Sequence, residues 1–213
     1  MNKASWQAQI FQILEDFFTA EGYRFLPIGN QFRKETKCGW QNVIFGFGHY
    51  EDCTLIEVTF GARLDIVENL IAPYSHGLRG YQAESNTAIT SLAKYLKEPH
   101  FRFKIYEEAD LYRMAAHVRD FFRKEGFDFL DSLSSLEQLD KLFNSSEQEP
   151  CLVSFNHQLR SFRGLAIASL NQNPQWEQLC TFYRNLLSTY SSPKVVIDRY
   201  RDFSRHLATT ALN

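Results

Sequence analysis

Several signatures of large functional classes are missing from the 213 residues. No apolar run approaches the roughly 18 residues that a membrane-spanning helix requires. The first ten residues, MNKASWQAQI, contain a single lysine and lack the apolar stretch of a signal peptide. The four cysteines, at positions 38, 53, 151 and 180, form no C-x-x-C pair. These absences predict a cytoplasmic protein with no membrane association, whose reduced thiols serve as small core side chains.

Motifs for catalysis and for metal or phosphate binding are also missing. The sequence contains neither G-x-S-x-G nor H-E-x-x-H nor the G-x-x-x-x-G-K-[ST] phosphate loop. His49 and Cys53 lie close together in sequence, but a structural zinc site needs four ligands. His117 and Asp120 stand three residues apart on a predicted helix, a spacing that suits a surface pair or an oriented general base. The sequence predicts no metal, no cofactor and no identified catalytic residue.

The charge of the chain argues against nucleic acid as a partner. Its net charge is −2 and its isoelectric point about 6.3, whereas nucleic-acid-binding domains are usually basic. Residues 107–149 contain five basic and eleven acidic side chains, and residues 157–213 contain seven basic and three acidic ones. The two segments either lie side by side or leave a basic C-terminal surface for an acidic protein partner. The candidate partner-binding residues on that surface are Arg199, Arg201 and Arg205.

The composition that remains is that of a globular protein with an aromatic core. Hydrophobic residues make up 44% of the chain and aromatic residues 15%, including nineteen phenylalanines. The length suits one domain or one domain with an appendage. The polar segment NSSEQEP, residues 144–150, is the best candidate boundary. We therefore expect an α+β domain at residues 1–143 with a helical segment at 151–213 packed on it, or one continuous domain, 1–213.

The first sixty residues predict a helix and two β-hairpins. Apolar residues recur at helical spacing between positions 6 and 17, and Gly22 suits the end of that helix. Gly29-Asn30 predicts a two-residue hairpin loop, with Arg24 directly opposite Glu35. A second hairpin turning at residues 51–52 places apolar pairs from residues 43–60 on one face of the sheet, which specifies its register.

Gly46 and Gly48 lie on the opposite face of that second hairpin. They do not form a phosphate loop, because no third glycine and no lysine follow and the next element is a strand. Two missing side chains leave a shallow trough on the sheet. We expect either a closely packed helix, the commoner arrangement, or a ligand to cover it.

The remaining sequence predicts a mostly helical second half. Residues 87–97 are expected to form a helix, with a strand as the alternative, and residues 101–105 alternate as a strand does. Helical stripes then follow to the end of the chain, with Gly126 expected to stop one helix. The predicted fold class is α+β: an antiparallel sheet of four or five strands packed with an N-terminal helix, followed by a mostly helical C-terminal half.

A long segment, residues 72–85, is the best candidate for a ligand-binding loop. Loops of this length in compact domains are often functional, although a covering loop is the alternative. Its side chains include groups that bind anions, stack on rings or move protons. Together with residues of the preceding strand, the candidate ligand-binding residues are Glu57, Arg63, Tyr74, His76, Arg79 and Tyr81.

The order of motifs resembles uncharacterised bacterial domains of unknown function. An amphipathic helix ends in EGYRF, a hairpin with a basic second strand contains FRK, and a longer strand ends in IEVTFGAR. The segment FLDSLSSL, residues 129–136, also recurs in such proteins before a helix. The resemblance covers about two-thirds of the chain. It implies a fold but no activity, and some similar small bacterial proteins are immunity or accessory proteins that bind another protein.

Two hypotheses of different classes follow. The first is a non-catalytic cytoplasmic protein that binds a partner protein as an accessory or immunity-like module. The second is a small-ligand binder or an enzyme, with its site between the strand face of Gly46 and Gly48 and the loop at residues 72–85. A pocket lined by Glu57, His76 and Arg79 would favour the second.

Overall fold

The computed structural model describes residues 3–74, 84–144 and 151–210. The strands are β1 Arg24–Leu26, β2 Gln31–Thr36, β3 Gly39–His49, β4 Thr54–Leu64, β5 Ala88–Ser91 and β6 Phe103–Ile105. The helices are α1 Lys3–Ala20, α2 Asp65–Ile71, α3 Leu92–Tyr95, α4 Glu108–Phe121, α5 Phe127–Ser132, α6 Leu136–Asn144, α7 His157–Leu170, α8 Trp176–Thr189 and α9 Lys194–Thr210. A π-helical segment, Phe122–Gly126, joins α4 to α5. Within these ranges no helix combines the length and hydropathy of a membrane span.

The predicted α+β class is confirmed. The sheet has the strand order β1-β2-β3-β4-β5, and β6 also pairs with β4. The pairs β1–β2, β2–β3 and β4–β6 are all antiparallel. Strands therefore dominate the first half of the chain and helices the second, as the periodicities predicted.

The chain divides into two compact units, each built from two stretches of sequence. Unit 1 consists of Met1–Ala62 and Thr90–Asp131, and unit 2 of Arg63–Ile89 and Ser132–Asn213. The boundary expected at residues 144–150 falls almost entirely outside the described residues.

Unit 1 has an aromatic core between α1, α4 and the sheet. Phe11 stacks on Phe25 with 4.3 Å between ring centroids, and Phe18 stacks on Phe32 with 4.5 Å. Phe60 on β4 meets the ring of Phe122 edge-on. Such stacked and edge-on pairs are the preferred arrangements of aromatic rings. Many of the phenylalanines in the sequence therefore pack together in the core of unit 1.

Unit 2 packs helices around side chains that are both apolar and polar. Leu139 and Phe143 of α6, Leu165 of α7, Tyr183 of α8 and Phe203 of α9 are all buried. Gly164 lies where α7 meets Tyr183, and a β-carbon there would overlap the Tyr183 phenol. Only glycine at position 164 therefore permits this close approach.

The first hairpin differs from the prediction in its register. Arg24 lies opposite Arg33, not Glu35, because the turn takes in residues 27–30. Gly29 has φ of +85° and Asn30 has φ of +50°, and Asn30 N–H donates to the Pro27 carbonyl. The turn therefore uses a positive-φ glycine at its third position, as type II turns do. Arg24 still reaches Glu35 diagonally, with 3.2 Å between nitrogen and oxygen.

Two further predictions need correction. Residues 87–97 form neither one helix nor one strand: β5 ends at Ser91, whose hydroxyl accepts the Lys94 N–H and caps the short α3. Gly126 does not stop a helix, because the Phe127 N–H bonds to the Phe122 carbonyl and the chain continues through the π-helical segment into α5. In both places local capping and packing override the average preference of the residues.

Candidate functional site

The face of the sheet that carries Gly46 and Gly48 has the predicted register. The Tyr50 N–H donates to the Cys53 carbonyl across the turn, and His49 Nδ1 lies 3.1 Å from Thr54 Oγ1. A β-carbon at Gly46 would lie near Glu57, and one at Gly48 near Leu55, so these residues are cross-strand neighbours. We call this surface, with Gly46, Gly48, Leu55, Glu57 and Lys104, the glycine face.

The expectation that a helix covers the glycine face is wrong for the described residues. Gly46 is exposed, and a β-carbon built on it would meet only Glu57 within 4 Å. A β-carbon on Gly48 would meet the Tyr50 ring at 3.4 Å and Leu55 at 3.9 Å, both within the same hairpin. The glycines therefore leave this part of the backbone accessible instead of admitting a helix.

Strand β6 adds two cations to the glycine face. Lys104 lies opposite Leu55 in the β4–β6 register, and Leu55 itself lies on the glycine face. Continuing the register by one residue places Arg102 opposite Glu57, and their side chains form an ion pair at 3.4 Å. Arg102 also donates to the Phe101 carbonyl at 2.7 Å. Lys104 is exposed, and within the described part of the chain it forms no ion pair.

A groove runs between β6 and α4, which we call the β6–α4 groove. It has a volume of about 260 Å³. It is lined by residues at and just before β6 and by residues at the start and on one side of α4: Phe101, Phe103, Lys104, Ile105, Asp110, Arg113, Met114 and His117.

Three rings form one end of this groove. Phe101 and Phe103 meet edge-on with centroids 4.9 Å apart. The His117 ring lies 5.6 Å from the Phe101 ring and 5.4 Å from the Phe103 ring. The structure thus places His117 of the predicted His117–Asp120 pair in an aromatic cluster. Phe101 and Phe103 remain partly exposed, so an apolar side chain of a partner can reach them.

The other end of the groove is fixed by charge. The Asp110 carboxylate accepts the backbone N–H groups of Tyr106 at 2.9 Å and Glu107 at 3.0 Å, and Arg113 pairs with it. The hydrogen bond from Tyr106, followed by the one from Glu107 and the contact with Arg113, lowers the pKa of Asp110 from its usual value. This arrangement caps α4 and holds the start of the helix against the end of β6.

The predicted ligand-binding residues do not form one cluster in the described structure. Arg63 is held by Asp65 at 2.6 Å and by the Ser85 carbonyl at 3.2 Å. Tyr74 packs against the ring of Phe203 at 5.0 Å and that of His206 at 5.9 Å on α9. Glu57 pairs with Arg102, as described above. His76, Arg79 and Tyr81 lie outside the described residues.

Two of the three candidate arginines of α9 have ion-pair partners on their own helix. Arg201 pairs with Asp198 at 3.3 Å and Arg205 with Asp202 at 3.2 Å. Arg199 is half-buried. The charge of this helix face is therefore mixed instead of purely basic.

Two buried polar networks in unit 2 proved to be structural. Arg163 forms a two-pronged ion pair with Glu68, with distances of 2.9 and 3.1 Å, and Thr87 donates to the same carboxylate. The second network surrounds the Asp140 carboxylate, which accepts from the side-chain amides of Asn144, Asn171 and Asn173. Both networks have buried members, which suits crosslinks between elements better than a site open to substrate.

A larger groove between α1 and α4 is mixed in charge. It has a volume of about 540 Å³ and is lined by three acidic and two basic side chains. Its cations hold the two helices together: Arg119 donates to the Ile13 carbonyl, and Arg123 lies 5.2 Å from the centre of the Phe17 ring. The β6–α4 groove differs, because its exposed cation Lys104 forms no ion pair with another described residue.

Metal and thiol chemistry find no support among the described residues. No group of three or more His, Cys, Asp or Glu side chains in the ranges given above is arranged to hold a metal ion. No disulfide joins the four cysteines, and Cys53 and Cys151 are buried. Burial raises the pKa of Cys180 to about 11, which disfavours the reactive thiolate.

No family model, no curated protein and no solved structure matches this chain. The function is therefore inferred from the geometry of the chain itself.

Sequence reasoning did not identify the β6–α4 groove. The alternation of residues 101–105 did predict a strand there, and the helical stripe of α4 was also visible. The missing information was the pairing of β6 with β4, which decides which edge of β6 is left open. The feature of the sequence that could have indicated this groove is a pair of phenylalanines, Phe101 and Phe103, on either side of an arginine.

Proposed function

We propose that this chain is a non-catalytic protein-binding module of the cytoplasm, in the manner of an accessory or immunity-like protein. Unit 1 would bind the partner at the open edge of β6 and in the β6–α4 groove. The observation that supports this proposal is the juxtaposition of an accessible strand edge with partly exposed aromatic rings. Aromatic side chains are common anchors of protein interfaces, and open strand edges are common templates for pairing.

The size of the groove favours a protein segment over a small molecule. At about 260 Å³ it is smaller than the clefts of about 300–1,000 Å³ that hold drug-sized ligands. One large side chain of a partner fits a space of this size. The small-ligand hypothesis has no comparable support among the described residues, because Arg63 and Tyr74 are engaged in local contacts.

The proposal is tested by capturing the partner with the tagged chain and with two variants. Phe101→Ser removes one aromatic wall of the groove, whereas Tyr112→Ser removes an aromatic ring that is 57% exposed and is not among the residues lining the groove. We expect a stoichiometric partner in lysate of the source organism, retained by Tyr112→Ser and reduced about fivefold or more by Phe101→Ser. Urea unfolding of both variants confirms that they fold. Equal capture by Phe101→Ser, or no partner at all, would contradict the proposal.

The arginines of α9 remain proposed as a second contact surface. Replacing Arg199, Arg201 and Arg205 with alanine is expected to weaken capture, but less than Phe101→Ser does. The reason is that Asp198 and Asp202 already compensate two of the three charges. Unchanged capture by this triple variant would remove α9 from the interface and leave the groove as the proposed contact.

A further inference from the structure

We propose that the β6–α4 groove recognises an extended protein segment in which apolar and acidic side chains alternate, and that this segment pairs with β6 as an added strand. The inference rests on the proposed function and specifies the chemistry of the partner. It follows from the edge of β6 and from the different character of the strand's two faces.

The edge of β6 supplies the main-chain part of the recognition. One edge of the strand pairs with β4, from Thr54 opposite Ile105 to Ile56 opposite Phe103. The other edge pairs with no strand in the described part of the chain. Backbone N–H and C=O groups on such an edge can pair with an extended peptide, which is a recurring mode of peptide recognition.

The helix-facing side of an added strand would meet the aromatic end of the groove. Phe103 and Ile105 point to this side, where Met114 and His117 of α4 form the opposite wall. Side chains two residues apart on the added strand project to the same side, because strands have a period of two. Aromatic or branched aliphatic residues at these positions would bury against Phe101 and Phe103.

The opposite side of the added strand would meet positive charge. Lys104 lies opposite Leu55 on the glycine face, next to Arg102, and it has no ion-pair partner among the described residues. A side chain of the added strand opposite Lys104 lies about 5 Å away, measured between β-carbons, which suits a glutamate or aspartate. The preferred segment therefore has an acidic residue between two apolar ones.

The same charge disfavours a second copy of this chain as the occupant. Two β6 strands that paired antiparallel about Lys104 would place the two lysines directly opposite each other. Like charges at that position destabilise strand pairing. A partner segment of acidic and apolar character has no such conflict.

The test uses two labelled peptides and the full-length chain. One peptide has a core that alternates phenylalanine and glutamate, and the other has lysine in place of each glutamate. Fluorescence anisotropy measures their affinity for the wild type, for Lys104→Glu and for the matched control Lys37→Glu. Lys37 is exposed in the turn between β2 and β3 and is absent from the groove lining, so it controls for the change in net charge.

We expect the wild type to bind the acidic peptide in preference to the basic one. Lys104→Glu should weaken the acidic peptide about tenfold, because an attraction becomes a repulsion, while Lys37→Glu should not. Hydrogen exchange of the Phe103–Ile105 amides should slow when the acidic peptide is added, as strand pairing requires. Unchanged affinity of Lys104→Glu for the acidic peptide, or no slowing in β6, would overturn the inference.

Two other outcomes separate this inference from the proposed function. If the peptides fail to bind while Phe101→Ser still abolishes partner capture, the alternating segment is wrong and the binding module stands. If no partner is captured while the acidic peptide still protects β6, the recognition stands and the proposed function falls. Concentration-dependent dimers in sedimentation, with protection of β6 amides in the absence of peptide, would instead identify a second copy and overturn the inference.

Discussion

In unit 1 the core is a continuous set of aromatic rings, whereas in unit 2 two buried networks of hydrogen bonds and charge join the helices. Phe18 in unit 1 contacts the rings of Tyr23, Phe32 and Phe122. In unit 2 the Arg163–Glu68 pair joins α7 to α2, and their side chains are only 6% and 7% exposed. Apolar packing has little directional demand, but a buried charge is stable only while its partner is in place.

This difference predicts different responses to mutation. Unit 1 should tolerate changes of shape that keep its apolar volume, since such exchanges usually have small effects. Unit 2 should be sensitive to changes of one atom, because each lost partner leaves a buried polar group unsatisfied.

The largest loss of stability is expected from Arg163→Met in unit 2. This change leaves the Glu68 carboxylate buried without its ion-pair partner, so the free energy of unfolding should fall by about 3–5 kcal/mol. Urea unfolding of the full chain measures the loss. The double variant Glu68→Met with Arg163→Met should recover most of it, because no buried charge is left. A loss below about 1 kcal/mol in the single variant would mean that the pair is not required.

A smaller loss is expected from Gly164→Ala in the same unit. The added methyl group would overlap the Tyr183 phenol, whose hydroxyl is held at 2.5 Å from Asn144 Oδ1. Overpacking of this kind destabilises by about 1–3 kcal/mol, outweighing the better helix propensity of alanine. Thermal unfolding of Gly164→Ala with and without Tyr183→Phe provides the check. Partial recovery in the double variant is expected, and no loss in the single variant would contradict the close packing.

High pH should destabilise the chain through buried tyrosines that lie in both units. Burial raises the pKa of Tyr183 and Tyr200 in unit 2 and of Tyr23 in unit 1 above the usual value near 10. Above pH 10 the unfolded chain releases these phenolic protons while the folded chain keeps them, so the free energy of unfolding falls as pH rises.

The variant Tyr183→Phe measures how much one of these tyrosines contributes to the loss of stability at high pH. Between pH 9 and pH 11 its free energy of unfolding should fall by about 1.4 kcal/mol less than that of the wild type. Urea unfolding at both pH values provides the comparison. Identical slopes for wild type and Tyr183→Phe would show that burial does not hold the Tyr183 proton.

The smallest effect is expected from Phe18→Leu in unit 1. Phe18 is fully buried, but leucine keeps the site apolar and neighbouring rings can partly fill the difference in volume. The free energy of unfolding should fall by about 1 kcal/mol, well below the loss expected for Arg163→Met and at the lower end of the range for Gly164→Ala. Hydrogen exchange of peptides from each unit locates the loss. A loss as large as that of Arg163→Met would remove the contrast between the two cores.

Most of the fold could be predicted from local patterns in the sequence. The register of the β3–β4 hairpin followed from alternating apolar residues, because a slip of one residue would have reversed its faces. The predictions were wrong where a single residue decides the local backbone geometry. Gly29 moved the first turn, and the Ser91 hydroxyl ended β5 and began α3.

The candidate site was less predictable because it depends on distant pairings. The Phe103 strand and the α4 stripe were both visible in the sequence, but the open edge of β6 exists only once β4 is in place. The Glu68–Arg163 pair joins residues 95 positions apart, and no local pattern indicates such a contact. The six candidate ligand-binding residues were chosen because their side chains have suitable chemistry. Four of them were predicted on the loop, and three of these four, His76, Arg79 and Tyr81, lie outside the described residues.

The π-helical segment Phe122–Gly126 has a consequence for how relatives of this chain should align. Its wider turn contains one residue more than the α-helical path would need, because the Phe127 N–H bonds five residues back. A relative that lacked one residue here would continue as a regular α-helix. The later side chains of α5 would then keep the faces they have here, because the wider turn takes up the extra residue without rotating the helix that follows. A single-residue gap at this point is therefore the insertion or deletion that the helix can absorb without changing the sheet.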